Sequence, residues 1–189
     1  MTFKELVASE FKPFGVLTPL QLELLDKHFQ LLLTWNQRLN LTRITKLEDA
    51  VQFHYCESLF LGLKLPAGSL RVADLGSGPG FPGIPIAILR PDLHITLVES
   101  NQRKAVFLRE AARELPNVDV LAVRIEEVRE RFDWVVARAV TPKEVLYSGL
   151  AHNFALLLSP QDAPAGAELS KVPWGRDRAA SVSRETLAT

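Results

Sequence analysis

Two carboxylates, Asp74 and Glu99, stand in settings that point to chemistry. Asp74 closes the apolar run Val72-Ala73 and opens the loop Asp74-Leu-Gly76-Ser-Gly78-Pro-Gly80-Phe-Pro-Gly83, with glycines on alternate positions. Such a loop lets the backbone press close against a ligand. Glu99 closes a second apolar run, Ile95 to Val98. An acid ending the second strand of an alternating fold, in this register, suits the hydroxyls of a ribose. Together the two features indicate a nucleoside cofactor.

Gly78, Gly80 and Gly83 satisfy the dinucleotide pattern G-x-G-x-x-G, a pattern of low specificity. A pyrophosphate needs free backbone N–H groups at a helix N-terminus. Pro79, Pro82 and Pro85 remove three such donors. No Gly-Lys-Ser/Thr follows, which excludes a nucleoside-triphosphate loop. Asp74 would also set a negative charge beside any phosphate. S-adenosylmethionine has no phosphate, and its ammonium and sulfonium favour nearby carboxylates, so acid-x-Gly-x-Gly-x-Gly fits it. The plain alternative is a Gly/Pro-rich surface loop; the strand and acid before it and Glu99 after it argue against that.

These residues need a frame, and the hydrophobic spacing supplies one. Up to about Pro66 the chain reads as helical. Thr18-Pro19 with Gln21 marks a helix start, followed by a stripe of Leu20, Leu24, Leu25, Phe29, Leu32, Leu33 and Trp35. A second helix is predicted over Leu47 to Leu63, with Val51, Tyr55, Leu59 and Leu63 on one face. From Leu70 strands and helices alternate: strands at Arg71–Leu75, His94–Val98, Val118–Val123 and Phe132–Ala137, helices at Phe81–Leu89 and Arg103–Leu115. That alternation implies a parallel sheet with ligands at the carboxyl ends of its strands, where Asp74, Glu99, Arg124 and Arg138 all fall. Beyond Leu150 the pattern weakens to a loop, Ser159 to Gly166, and one short strand, Arg178–Ser183.

Composition narrows the class. With 189 residues, 47% hydrophobic and 23% charged, the chain is globular and can bury a core. Its 22 basic and 22 acidic residues cancel, which excludes an indiscriminate polyanion binder but not a local basic face. A single cysteine, Cys56, excludes an internal disulfide and fits a reducing cytoplasm. No apolar stretch is long enough to span a bilayer, and no export signal is read at the start. His28, His54, His94 and His152 lack metal-ligand spacing, so no metal is expected.

Four blocks in order, Trp35-Asn36-x-x-x-Asn40-Leu41-Thr42, His54-x-x-Glu57-Ser58-Leu59, Asp74-Leu-Gly-Ser-Gly-Pro-Gly-Phe-Pro-Gly-Ile-Pro85 and Arg138-Ala139, resemble the glucose-inhibited division protein B (GidB) family, the ribosomal RNA small subunit methyltransferases G. The resemblance covers about Leu17 to Val140. It implies an α/β, Rossmann-like class I S-adenosylmethionine-dependent methyltransferase fold: a mostly parallel sheet over 67–189 behind an N-terminal helical extension, 1–66. It implies methylation of N7 of a guanine in small-subunit (16S) ribosomal RNA. The expected partner is that RNA or the small ribosomal subunit, met in the cytoplasm by a monomer without membrane or metal. Gly76 and Phe81 would contact S-adenosylmethionine from the loop, with Gly78 allowing close approach and Asp74 beside it. Glu99 would hold the ribose, Ile125 and Glu126 would border the adenine, and Arg138 would sit where cofactor and guanine meet. The chain departs from the family at Glu57, where aspartate is usual, and after Leu150, where Pro173 to Arg178 resembles a shifted final turn; a shortened or atypical C-terminal part is expected.

Guanine N7 carries its lone pair in the base plane, so methylation needs no general base and gains its rate from alignment. No Ser/His/Asp or Cys/His constellation stands out. Arg138 is therefore expected to position substrate or cofactor, and Arg138→Ala to harm turnover more than folding; Gly76→Asp is expected to abolish cofactor binding in a folded protein. Plainer roles stand beside these. His54 can be a satisfied helix residue, Asn36 and Asn40 can close a turn, and Arg103, Lys104 and Arg109 can be a solvated face. A small-molecule methyltransferase and a non-catalytic assembly module are the alternative functions.

Overall fold

The computed structural model describes residues 1–175 and 177–184; Arg176, within the expected final turn, lies outside them. The chain opens with α1 (Phe3–Phe11) and α2 (Pro19–Leu39). Thr18 caps α2 with Gln21 as the reciprocal partner, and Asn40 ends it in the left-handed region at φ 48°. α2 buries Leu25, His28, Phe29 and Leu32. Leu20, expected in that stripe, is 67% exposed. Its neighbour Gln21 occupies the inner face of the first turn instead, donating to the carbonyls of Ile88 and Leu89.

The helix expected over Leu47 to Leu63 is three pieces: α3 (Leu47–Ala50), a π-helical turn (Val51–Cys56) and α4 (Glu57–Gly62). Every residue of α4 is buried, and the chain emerges at Leu63, which is exposed. The remaining elements are β1 (Arg71–Leu75), α5 (Gly83–Leu89), β2 (His94–Val98), α6 (Gln102–Ala111), β3 (Val118–Leu121), β4 (Trp134–Arg138), α7 (Pro142–Tyr147), β5 (Asn153–Leu158), β6 (Glu168–Lys171) and β7 (Ala179–Ser183). α5 begins at Gly83 rather than Phe81, because the chain first makes a turn closed by the Gly80 N–H on the Ser77 carbonyl.

The sheet runs β3-β2-β1-β4-β5-β7-β6. Its first five strands are parallel, and β7 is antiparallel to both neighbours. The strand order reverses between β1 and β4, which opens a crevice at their carboxyl ends. Alternation along the strands feeds two layers. Val72, Leu97 and Val136 face a large cluster with α1–α6, while Ala73, Leu75, Val135 and Ala137 face a smaller one with Val128, Phe132 and Val145. Residues before Pro66 thus share a continuous core with the sheet. The C-terminal part is fuller than expected: β5, apolar from Phe154 to Leu158, and β6 join β7 in the sheet. β6 is a mostly polar edge strand, the kind that does not advertise itself in a sequence. No described helix is long and apolar enough to cross a membrane.

Candidate cofactor site

At the end of β1 the chain stays tied to β2, with the Gly76 and Ser77 N–H groups donating to the Val98 carbonyl at 2.9 and 3.1 Å. The two acids then shape the loop from one side. Glu99 Oε2 accepts from the Gly78 N–H at 2.9 Å and its Oε1 from the Asn101 N–H at 2.8 Å. Asp74 Oδ2 accepts from the Gly83 N–H at 3.0 Å. Gly76 and Gly83 are among the loop glycines that geometry requires. Gly76 sits at φ +67°, and a Cβ there would lie 2.9 Å from Val140 Cγ2; a Cβ at Gly83 would lie 2.3 Å from Leu97 Cδ2 and 2.6 Å from Asp74 Oδ2.

A cavity of about 330 Å³ opens beside this loop, lined by Gly76, Val98, Glu99, Ser100 and residues 123–126. It brings together Gly76, Glu99, Ile125 and Glu126 from the expected set. The other four are placed differently. Asp74 is fully buried beneath the loop with Oδ1 unpartnered. Burial, opposed by the Gly83 N–H, raises its carboxyl to about 7. Gly78 is buried and serves by its N–H. The Phe81 ring is 2% exposed and stacks on His54 at 4.5 Å, so it faces the core and not the cavity.

Arg138 turns inward, although the sequence reading put it at the meeting point of cofactor and base. Its Nη1 donates to the Phe53 carbonyl at 2.6 Å, its Nη2 to His54 Nδ1 at 2.8 Å, and its guanidinium lies over Phe81. Because that arginine only donates, His54 Nδ1 accepts, and its Nε2–H donates to Thr42 Oγ1 at 2.8 Å. Thr42 is bracketed in turn by Asn36, whose Oδ1 takes its N–H and whose Nδ2 reaches its carbonyl. Asn36 and Asn40 thus close the turn after α2. Burial, then the Arg138 charge, hold His54 neutral, down to about 2; burial, then Arg178, lower Arg138 to about 10.

His28, which has no metal-ligand spacing in the sequence, touches the loop. Its Nε2–H donates to the Pro79 carbonyl at 3.0 Å, and its Nδ1 accepts from the Tyr55 hydroxyl at 2.8 Å. Burial lowers it to about 4. The signal was its place on the buried face of α2, between Leu25 and Leu32. A second cavity, about 420 Å³, lies beyond β4 and includes residues 139–142, Asp162 and Arg178. Ala139 there adopts φ +61°, the kind of backbone strain that collects at functional sites. Among the described residues no His/Cys/Asp/Glu group is arranged to hold a metal ion.

Known proteins resemble this chain in sequence and in fold. The ribosomal RNA small subunit methyltransferase G of Chromobacterium violaceum is 46% identical over 127 residues, 65% of this chain and 60% of that protein. The protein of the same name from Halorhodospira halophila is 42% identical over 143 residues, 72% of this chain and 68% of that one. The chain thus spans about 60% of the length of the first of these relatives. A SAM-dependent methyltransferase from Aquifex aeolicus superposes with TM-score 0.52 at 14% identity, over 71% of this chain and 91% of that one, and so shares the fold. The family model described as GidB, rRNA small subunit methyltransferase G, matches residues 21–157, well over half of the sequence, and the chain belongs to that family.

Proposed function

We propose that this chain transfers a methyl group from S-adenosylmethionine to N7 of a guanine in small-subunit (16S) ribosomal RNA. The observation that carries the reading is Glu99 at the edge of the 330 Å³ cavity. One lone pair on each oxygen is engaged by a backbone N–H, which fixes the carboxylate and leaves the others for two vicinal hydroxyls. The donor set fits the cofactor. Glu99 lines the cavity, Asp74 lies beneath the loop, and three prolines remove the loop's phosphate-binding donors.

When bound, S-adenosylmethionine supplies a methyl group on a cationic sulfur. Gly76 would admit the ligand's closest approach, and Ile125 with Glu126 would flank its base. Arg138 would act from behind, locking the end of β4 to the π-helical turn so that the cavity wall keeps its shape. The guanine would enter from the 420 Å³ cavity on the far side of the Gly76–Val140 contact. His28 and His54 are both neutral and both engaged, which suits a reaction that needs alignment rather than a base. The partner is the RNA or the small subunit, met in the cytoplasm by a monomer.

The test is transfer of a tritiated methyl group to deproteinised small-subunit RNA, with the modified position mapped by cleavage at N7-methylguanine. Transfer to small metabolites alone, or no calorimetric heat with S-adenosylmethionine, would overturn the proposal.

A further inference from the structure

Resting on the RNA reading above, we propose that the substrate's phosphate backbone runs over the α2–α6 side of the mouth, on a track of Arg38, Arg43, Lys46 and Arg103. The argument starts from how two helices cross. Lys27 of α2 pairs with Glu114, just past the end of α6, at 2.8 Å, while Trp35 of α2 meets Phe107 of α6 with ring centroids 5.8 Å apart. The helices therefore run antiparallel. Arg38 lies about one turn past Trp35 and Arg103 about one turn before Phe107, roughly 5 Å along each axis, so both emerge at the same end. That end is the mouth, because α6 starts three residues after Glu99. The loop carrying Arg43 and Lys46 is tied there as well, through Thr42 to His54 and through His54 to Arg138 at the end of β4.

All four cations are exposed, and none has a carboxylate partner among the described residues. At the opposite end of the sheet, four cations are compensated: Lys27 by Glu114, Arg71 by Glu130, Arg90 by Asp92 and Arg113 by Glu110. A groove of about 410 Å³ there, between α2, α5 and α6, is rimmed by two of those pairs. Arg178 is the exception at the mouth, held by buried Glu57. Lys12, Arg109, Arg129, Arg131, Lys143 and Lys171 are likewise exposed without a carboxylate among the described residues, so the track is distinguished by its place beside the cavity and not by being unpaired alone. The acids nearest the track in sequence are Glu48 and Asp49, in the first turn of α3. A chain of zero net charge thus sets four unopposed cations along one side of the mouth of its cavity.

Uncompensated arginine and lysine in a row match a polyanion's phosphates, contacts that orient a nucleic acid without reading its sequence. Arg38 also borders a cleft of about 270 Å³ whose lining includes Trp35. An aromatic ring beside a guanidinium is a surface on which an unstacked base rests, as in recognition of single-stranded RNA. The occupant is therefore an RNA with an unpaired stretch beside its target guanine.

The experiment compares wild-type protein with two variants of equal charge change. One carries Arg38→Gln, Arg43→Gln, Lys46→Gln and Arg103→Gln; the other carries Lys4→Gln, Lys27→Gln, Arg71→Gln and Arg113→Gln. Melting curves check folding, calorimetry gives S-adenosylmethionine affinity, and binding of deproteinised small-subunit RNA is measured across a salt series. The track variant is expected to keep its cofactor affinity, to lose on the order of 100-fold in RNA affinity at about 0.1 M salt, and to lower the log–log salt slope by about 3. The second variant is expected to stay within about threefold of wild type. Wild-type RNA affinity and slope in the track variant would overturn the proposal and leave the RNA reading standing. Normal binding of bare RNA with activity lost only on the intact subunit would overturn it too, assigning the patch to a ribosomal protein. Cofactor binding without any RNA binding by the wild type would sink the RNA reading itself.

Discussion

Arg138 ends β4 with its guanidinium committed to the Phe53 carbonyl, to His54 Nδ1 and to the face of Phe81. Removing it strands a carbonyl inside the π-helical turn and a histidine nitrogen, so Arg138→Ala is expected to cost about 2–4 kcal/mol in urea unfolding. The sequence reading expects turnover to suffer more than folding; these contacts add a substantial folding loss to that expectation. Arg138→Lys should recover little, since one ammonium cannot span both acceptors. Gly76→Asp loses its value as a clean test for a related reason: φ +67° and the nearby Val140 penalise any side chain there. Gly83→Ala strikes the loop more directly. Its Cβ would press on Leu97 and Asp74, and a loss of about 1–3 kcal/mol is expected in the same assay.

Titration also belongs to single residues. His28 is lowered to about 4 by burial, so below about 6.5 the unfolded chain takes up a proton that the folded chain refuses. Its contribution is full at neutral pH and is lost as pH falls from about 6.5 towards 4, by roughly 3 kcal/mol. His54 acts in the same direction. Asp74 acts oppositely: its raised carboxyl favours the folded state at low pH, and that contribution fades as pH rises from about 4 to about 7. Urea midpoints measured against pH should show a steep acid limb that is shallower in His28→Gln.

Among the elements, the turn between β6 and β7 does more than close a hairpin. Trp174 Nε1 donates to Glu10 Oε2 at 2.7 Å, and Arg178 Nη1 to Glu57 Oε2 at 3.0 Å. Gly175 lies so close that a Cβ would come within 2.9 Å of Glu57 Oε1, the other unpartnered buried oxygen among the described residues. Burial raises the Glu57 carboxyl, and Arg178 opposes the shift. Arg178→Ala should therefore cost about 1–3 kcal/mol, discounted because the arginine is half exposed, and adding Glu57→Gln should restore part of it. A double-mutant cycle with no coupling between the two positions would contradict this. The segment whose sequence resembles a shifted final turn thus clamps the N-terminal helices.

For the molecule as a whole, a ligand held by the loop should stabilise the fold through linkage, by about 2.7 kcal/mol at a concentration one hundred times its dissociation constant. Amide exchange should slow most at residues 76–83, 99–101 and 124–126; uniform protection would place the ligand elsewhere. The glycine loop, its two acids and the strand–helix alternation were legible because each depends on residues adjacent in the chain: backbone freedom, missing N–H donors and apolar period are local properties. Helix ends followed for the same reason, as Thr18 with Gln21 and the αL Asn40 show. What packing alone decided is which way side chains face. The bond from His28 to Pro79 joins residues 51 apart, and that from Arg178 to Glu57 joins residues 121 apart. Phe81 and Arg138 turn inward, and Asp74 supports the loop from below, because the N-terminal helices cover that face of the sheet and offer them partners. β6 joins through backbone hydrogen bonds that a mostly polar run does not announce. Such contacts depend on which faces meet once the chain has folded, and no spacing along the chain encodes them.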